Sequence, residues 1–235
     1  MSWQPLIVPL GDAALLVQFQ NSMDPAVHAR VMQLFGQLQN APAFIKDVVP
    51  AYCSLTVHYD VVALYDERTS AFENLKQFLQ TLLQNDDCAT PLEQRLIRIP
   101  VCFASPFAPD LESLAEQKNL SVADFVQIFI TTTYTVYMIG FLPGFAYMGK
   151  VDSRIAAPRK SSPRQNVEAG SVGIAGEQTG IYPLDSPGGW NIIGRTPLSL
   201  FNKAEKNPVR LRPGDSVTFY PITENEFADH PGRLA

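Results

Sequence analysis

Residues that commonly announce a stapled, metal-bearing or hydrolytic protein are scarce in this 235-residue chain. Cysteine occurs only at positions 53, 88 and 102, an odd count without C-x-x-C spacing. That argues against a disulfide framework and a zinc cluster, and no metal site is expected. Histidine occurs only at 28, 58 and 230. With no G-x-S-x-G, H-E-x-x-H or kinase signature, a hydrolytic triad cannot be assembled by motif. Met1 to Asp12 lack a basic n-region and a long apolar stretch, so no secretory leader is expected and a cytoplasmic location is. Phe125 to Gly149 lacks charge over a length that could span a bilayer,. Gln127, the threonines at 131, 132, 133 and 135, and the Gly140 to Gly144 turn interrupt its apolar surface, which suits a buried helix running into a buried strand.

Basic excess is also missing. Residues 1–92 carry 4 basic and 9 acidic groups and residues 93–235 carry 14 of each, so neither half has the footprint of a nucleic-acid binder. What is present is a large apolar fraction, 46% of the chain, enough for a self-sufficient core.

The front half reads as two similar halves, each pairing strand-like runs with one amphipathic helix. Leu6 to Pro9 and Ala14 to Phe19 predict strands around a Gly11-Asp12 turn. A helix follows with Ser22 or Asp24 as cap, Pro25 in its first turn, and Val27, Val31, Leu34, Phe35 and Leu38 on one face. Val48-Val49 and Leu55, Val57 and Tyr59 give a second strand pair, and Thr69 to Leu83 a second helix. Arg95 to Val101 returns as a strand. The order predicts a small α+β domain over residues 1–92, with two helices on one face of an antiparallel sheet. The polar stretch Asn85 to Pro91 is its boundary.

Over residues 93–235, Asp110 to Lys118 and Ser121 to Thr132 read as short helices, the second with Ser121 and Asp124 in capping-box spacing. From Tyr134 onward short apolar runs alternate with Pro-Gly, Gly-Gly and Pro-Gly-Asp turns, the last separating Val209 to Leu211 from Val217 to Tyr220. This pattern predicts a closed or nearly closed β-barrel.

Candidate functional residues concentrate between Gly140 and Thr196. Gly140-Phe141-Leu142-Pro143-Gly144-Phe145 reads as a tight barrel corner or a pocket edge. Pro158-Arg159 and Pro163-Arg164 place two arginines on stiffened backbone in a stretch with Lys150, Arg154 and Lys160, opposed locally only by Asp152. A guanidinium fork recognises carboxylate or phosphate, and a stiff backbone lowers the entropy lost on binding. A solvated basic loop or a docking patch fits the same spacing. Gly170 to Gly180 lacks the lysine and spacing of a P-loop; it is either an anion nest or a glycine-rich strand and turn. Ser186-Pro187-Gly188-Gly189-Trp190 and Gly194-Arg195-Thr196 could wall a pocket and reach into it, although Trp190 in the core is an equal reading. Arginines, Gln178, Tyr182, Glu177 and Asp185 suit positioning and charge stabilisation better than base catalysis.

Taken together and in this order, Gly140 to Phe145, the two Pro-Arg pairs, Gly170 to Ile174, Gln178-Thr179-Gly180-Ile181-Tyr182-Pro183, Ser186 to Trp190 and Gly194 to Thr196 resemble the B subunit of bacterial 5-oxoprolinase. That family is also called KipI or allophanate hydrolase, first subunit. The resemblance implies a cyclophilin-like barrel after the α+β domain. It implies a carboxyltransferase-like partner, the C subunit of 5-oxoprolinase, and a third protein, its A subunit, that together use ATP to open 5-oxo-L-proline to glutamate. On that resemblance Arg159 and Arg164 are expected to bind the substrate anion with Tyr182 and Trp190, while Gly144, Gly188 and Gly189 shape the pocket. Gln178 would orient the substrate and Arg195 would stabilise developing charge. The KipI branch implies inhibition of a histidine kinase as one rival function, and related urea carboxylases imply a role beside a biotin-carrying partner as another. Three departures stand out: Glu168 replaces a usual proline, Ser105 to Pro109 replaces a more glycine-rich loop, and Phe129 occupies a position where relatives often carry histidine.

Overall fold

The computed structural model describes residues 4–84 and 95–232, so Cys88 and the boundary stretch 85–91 lie outside the described residues. The chain divides into two compact units, Met1–Glu93 and Gln94–Ala235.

In the first unit, β1 (Leu6–Pro9), β2 (Ala14–Gln18), β3 (Ile45–Pro50) and β4 (Ser54–Tyr59) form an antiparallel sheet in the order β1-β2-β4-β3. Alternation sends Leu15, Val17, Leu55 and Val57 into one core, where Val31 and Leu34 of α1 (Pro25–Gln37) meet Leu75 and Leu79 of a later helix, Ala71–Gln84,. Asp24, not Ser22, caps α1 by accepting from the Ala26 N–H at 2.7 Å, worth about 1 kcal/mol. The short helix α2 (Val61–Leu64), capped by Asp60, precedes Ala71–Gln84, which is α3. One turn of helix is too short to show periodicity in the sequence.

The strands of the second unit's barrel are β5 (Leu96–Cys102), β6 (Tyr134–Ile139), β7 (Ala146–Gly149), β9 (Ser171–Ala175), β10 (Gln178–Ile181), β12 (Asn191–Arg195) and β13 (Ser216–Ile222). They close in the order β10-β7-β6-β13-β5-β12-β9. The α+β class with a barrel is therefore as expected. A separate two-stranded ribbon pairs β8 (Arg164–Val167) with β11 (Ser186–Gly188). Helices α4 (Leu111–Gln117) and α5 (Val122–Thr131) precede β6, and Ser121 caps α5 through the Asp124 N–H. The apolar stretch from Phe125 is thus the end of a helix and the start of a strand, and among the described residues no helix is long and apolar enough to cross a membrane.

The run 209–211 departs from expectation: Val209 forms one isolated bridge to Phe201, and the run forms no strand. Pro208 and Pro213 bracket it and remove ladder donors on both sides,. β13 instead pairs in parallel with β5 from Ser216↔Leu96 to Ile222↔Cys102, closing the barrel across the sequence. Asp215, 3% exposed, ties this seam by accepting from the Arg95 guanidinium and from the Arg212 N–H at 2.7 Å. The final helix α6 (Glu224–Ala228) carries a full capping box from Thr223 and Glu226. Phe129 is fully buried in the barrel, stacked on Phe219 at 4.9 Å and beside Tyr134 at 5.2 Å, so this position serves packing.

Candidate functional site

A cleft of about 300 Å³ opens between β7, the 140–145 turn, the 158–163 loop and the β11 end of the ribbon. Its walls are aromatic. Phe145 meets Trp190 edge-on at 5.4 Å and Tyr182 at 5.2 Å, and Tyr147 lies 5.8 Å from Trp190. These rings belong to a small apolar cluster with Val167, Ala175 and Ile192, distinct from the barrel core. Phe141, 63% exposed and with φ at +68°, stands at the rim, edge-on to Phe145.

The loop carrying Arg159 is held on both flanks. Asn191 donates its side-chain amide to the Pro158 carbonyl at 2.8 Å, and the Lys160 N–H donates to the Gly189 carbonyl at 2.8 Å. The guanidinium of Arg159 lies 6.0 Å from the Trp190 ring centre. That is the outer range of a cation–π contact, worth about 0.5–1 kcal/mol.

The basic stretch is opposed by more than Asp152 once the chain is folded. Lys150 pairs with Glu177 at 3.0 Å, Arg154 with Asp152 at 2.8 Å, and both Lys160 and Arg164 with Asp110. Arg159 alone of the five has no acidic partner among the described residues. Asp110, 4% exposed, accepts from Lys160 Nζ at 2.8 Å, from Arg164 Nη1 and Nη2 at 2.8 and 2.7 Å, and from the Ile192 N–H at 2.7 Å. Burial pushes its carboxyl pKa up, but the bonds from Arg164, Lys160 and Ile192 outweigh it and hold the group below the ordinary carboxylate range,.

Burial raises the phenol pKa of both Tyr147 and Tyr182; the pull of Arg159 at Tyr147, and the hydrogen bond from the Trp190 backbone followed by the pull of Arg159 at Tyr182, offset this only in part. Both phenols therefore stay protonated near neutral pH. No carboxylate or imidazole lines the cleft among the described residues. It can hold and orient a ligand by ring contact and one guanidinium, but it offers no strong base.

The structure gathers Arg159, Tyr182, Gly188, Gly189 and Trp190 in this cleft. Arg164 and Arg195 instead line a second cavity of about 140 Å³ with Pro106, Asn166 and Glu168. Arg195 is engaged there: it pairs with Glu168 and donates Nε to the Ala169 carbonyl at 2.8 Å. Gln178 begins β10 opposite Gly149 and Ala175 and lines neither cavity. Gly144, at φ +82°, makes a turn whose missing Cβ would sit 3.0 Å from Phe201 Cβ, which is a packing role. Asp185 accepts from the Ala169 N–H at 2.7 Å. Sequence reasoning missed Tyr147 and Asp110, and it named Lys160 only as part of the basic stretch, not as a cleft residue paired with Asp110. The signal for Tyr147 was its spacing of two from Phe145, which puts both rings on one face of the strand,; no local signal marks Asp110.

Gly188 is required by shape, since an added Cβ would collide with the ring and hydroxyl of buried Tyr182. Gly188→Ala is expected to cost about 1–3 kcal/mol through overpacking. At Gly189 the Cβ would meet Pro163 and the Lys160 carbonyl at 3.7 and 3.8 Å, so Gly189→Ala should stay within about 0.5 kcal/mol. Urea midpoints of the two variants provide the comparison, and equal losses would contradict the packing described.

Residues 5–211 match the family model described as carboxyltransferase domain, subdomain C and D. A protein of Bacillus subtilis named as the B subunit of 5-oxoprolinase is 41% identical, with 94% of each chain covered. One of the same name from Escherichia coli O157:H7 is 36% identical over 92% of this chain and 95% of its own. The crystal structure of TTHA0988 superposes on 89% of this chain with a TM-score of 0.77 and 31% identity, and the match spans 39% of that longer protein. From its barrel, its motif block and these likenesses, the chain belongs to the carboxyltransferase-domain family, subdomain C and D, among the proteins named as the B subunit of 5-oxoprolinase.

Proposed function

We propose that, within an ATP-dependent 5-oxoprolinase, this chain is the component that holds the small carboxylate, and that it works with a carboxyltransferase-like protein and a third protein. The observation that carries this reading is Arg159, the one of the five clustered cations with no acidic partner among the described residues, set on stiff backbone over an aromatic cleft. The names of the full-length relatives point to the substrate. In 5-oxo-L-proline a flat ring suits the aromatic walls, and its carboxylate suits the guanidinium fork.

Opening an unstrained lactam is uphill in water, and ATP supplies the drive by turning the amide oxygen into a phosphate leaving group. Water then adds to the carbonyl carbon, the ring C–N bond breaks as the nitrogen takes up a proton to give γ-glutamyl phosphate, and hydrolysis of that acyl phosphate releases glutamate and inorganic phosphate. This chain binds the carboxylate through Arg159, seats the ring against the aromatic wall that includes Trp190 and Tyr147, and donates hydrogen bonds from protonated phenols. Activation of water and the grip on ATP fall to the partners, because the cleft has neither a base nor a phosphate-cradling glycine loop at a helix N-terminus,.

The isolated chain is therefore expected to release no glutamate from 5-oxo-L-proline and ATP in a coupled assay, while the reconstituted complex turns over. Robust turnover by the single chain would refute the division of labour. A complex inert toward 5-oxo-L-proline would refute the substrate.

A further inference from the structure

Asp110 binds two cations, but it does not need both. Its two oxygens receive Lys160 Nζ and Arg164 Nη2 on Oδ1, and Arg164 Nη1 and the Ile192 N–H on Oδ2. Without Lys160 the carboxylate keeps a bidentate guanidinium and a backbone donor. Without Arg164 it keeps only one contact on each oxygen. Geometry therefore ranks the two partners: Arg164 is the anchor, and Lys160 is the one that can leave at small cost.

Lys160 also sits where leaving would matter. Its residue lines the aromatic cleft next to Arg159, and its backbone is tied to Gly189 in the cleft wall. Its side chain is 32% exposed, against 6% for Asp110. An ammonium on a four-carbon stem rotates freely and bonds anions as a point charge with three donors. The cleft thus holds one committed cation and one in reserve. Arg164 faces the second cavity and is excluded from this role.

We propose that Lys160 is an exchangeable anion ligand. It swings from Asp110 to a ligand that carries a second negative group, so that the cleft favours a phosphorylated carboxylate over the plain carboxylate. This rests on the reading of the cleft as a carboxylate site. A doubly charged ligand gains Lys160 as well as Arg159, while a monoanion leaves Lys160 on Asp110. The reserve cation thereby separates substrate from its phosphorylated form with one side-chain movement.

Isothermal titration of the full chain with glycolate and with 2-phosphoglycolate tests the assignment. Wild type should bind 2-phosphoglycolate more tightly. Lys160→Met should weaken 2-phosphoglycolate by about ten- to a hundredfold and leave glycolate within about twofold, with Lys160→Gln giving the same pattern should methionine disturb packing. Lys160→Arg should recover part of the loss, and Arg159→Ala should weaken both ligands. Equal effects of Lys160→Met on the two ligands, or none on 2-phosphoglycolate, would overturn the exchange while leaving the carboxylate cleft standing. Failure of wild type to bind either ligand would overturn the cleft reading and the exchange together.

Discussion

Truncation of Asp110 to alanine is expected to destabilise the barrel unit by about 2–4 kcal/mol. Removing one partner of a buried ion pair ordinarily costs about 3–5 kcal/mol because the other charge is stranded. Here the stranded cations, Lys160 and Arg164, are 32% and 29% exposed and can turn toward water, which discounts the upper end. The Ile192 N–H, buried behind them, loses its acceptor in either case,. Arg164→Ala should cost less, since Lys160 and Ile192 still satisfy the carboxylate. Urea denaturation followed by Trp190 fluorescence in a Trp3→Phe background reads the difference, because the chain has only two tryptophans.

The same site carries a pH signature. The carboxyl of Asp110 is held below its ordinary value in the folded chain, so the folded state binds this proton less readily than the unfolded state does. Its stabilising contribution is complete above the unfolded value, about pH 4, and is lost as pH falls through the lower folded value. The gap between wild type and Asp110→Asn should thus be widest near neutrality and narrow progressively below about pH 4. A gap independent of pH would show that Asp110 acts through shape and not through charge.

Truncation of Arg159 to alanine should spare folding and damage turnover. A charge-assisted hydrogen bond is worth roughly 1.5–3 kcal/mol, so turnover in the reconstituted complex should fall about ten- to a hundredfold. With no acidic partner and one ring contact at the outer range, Arg159 contributes at most about 1 kcal/mol to stability,. Arg159→Lys should restore activity only in part, since an ammonium lacks the planar fork. Size-exclusion chromatography separates the alternatives. Lost assembly by a folded variant would mark a docking patch, and intact assembly with unchanged kinetics would remove Arg159 from the ligand. Arg164→Ala offers the contrast, because its first effect should be on the stability of the Asp110 cluster. The two Pro-Arg pairs look equivalent along the chain, yet their partners give them different expected behaviour.

Local chemistry explains which features were legible before the fold was known. The caps at Asp24 and Ser121, the alternation of Leu15 and Val17, and the helical spacing of Leu75 and Leu79 all act within a few residues,. The turn-rich block likewise placed Arg159, Tyr182, Gly188, Gly189 and Trp190 in one candidate region, and the structure brings them to one cleft. The expected pairing of Arg159 with Arg164 misses a long-range contact: Asp110 lies 54 residues before Arg164 and 50 before Lys160. The run 209–211 has the composition of a strand, but the strand that could have paired with it finds β5 instead.

The sequence by itself determined most of the element types, the barrel and the region of the candidate cleft, because propensity, periodicity and turn chemistry are carried by neighbours along the chain. Only the tertiary structure decided which cation stays unpaired. Charge neutralisation depends on distance in space, and a single buried carboxylate, brought in on the residue before α4, occupies Lys160 and Arg164 while leaving Arg159 facing the aromatic wall.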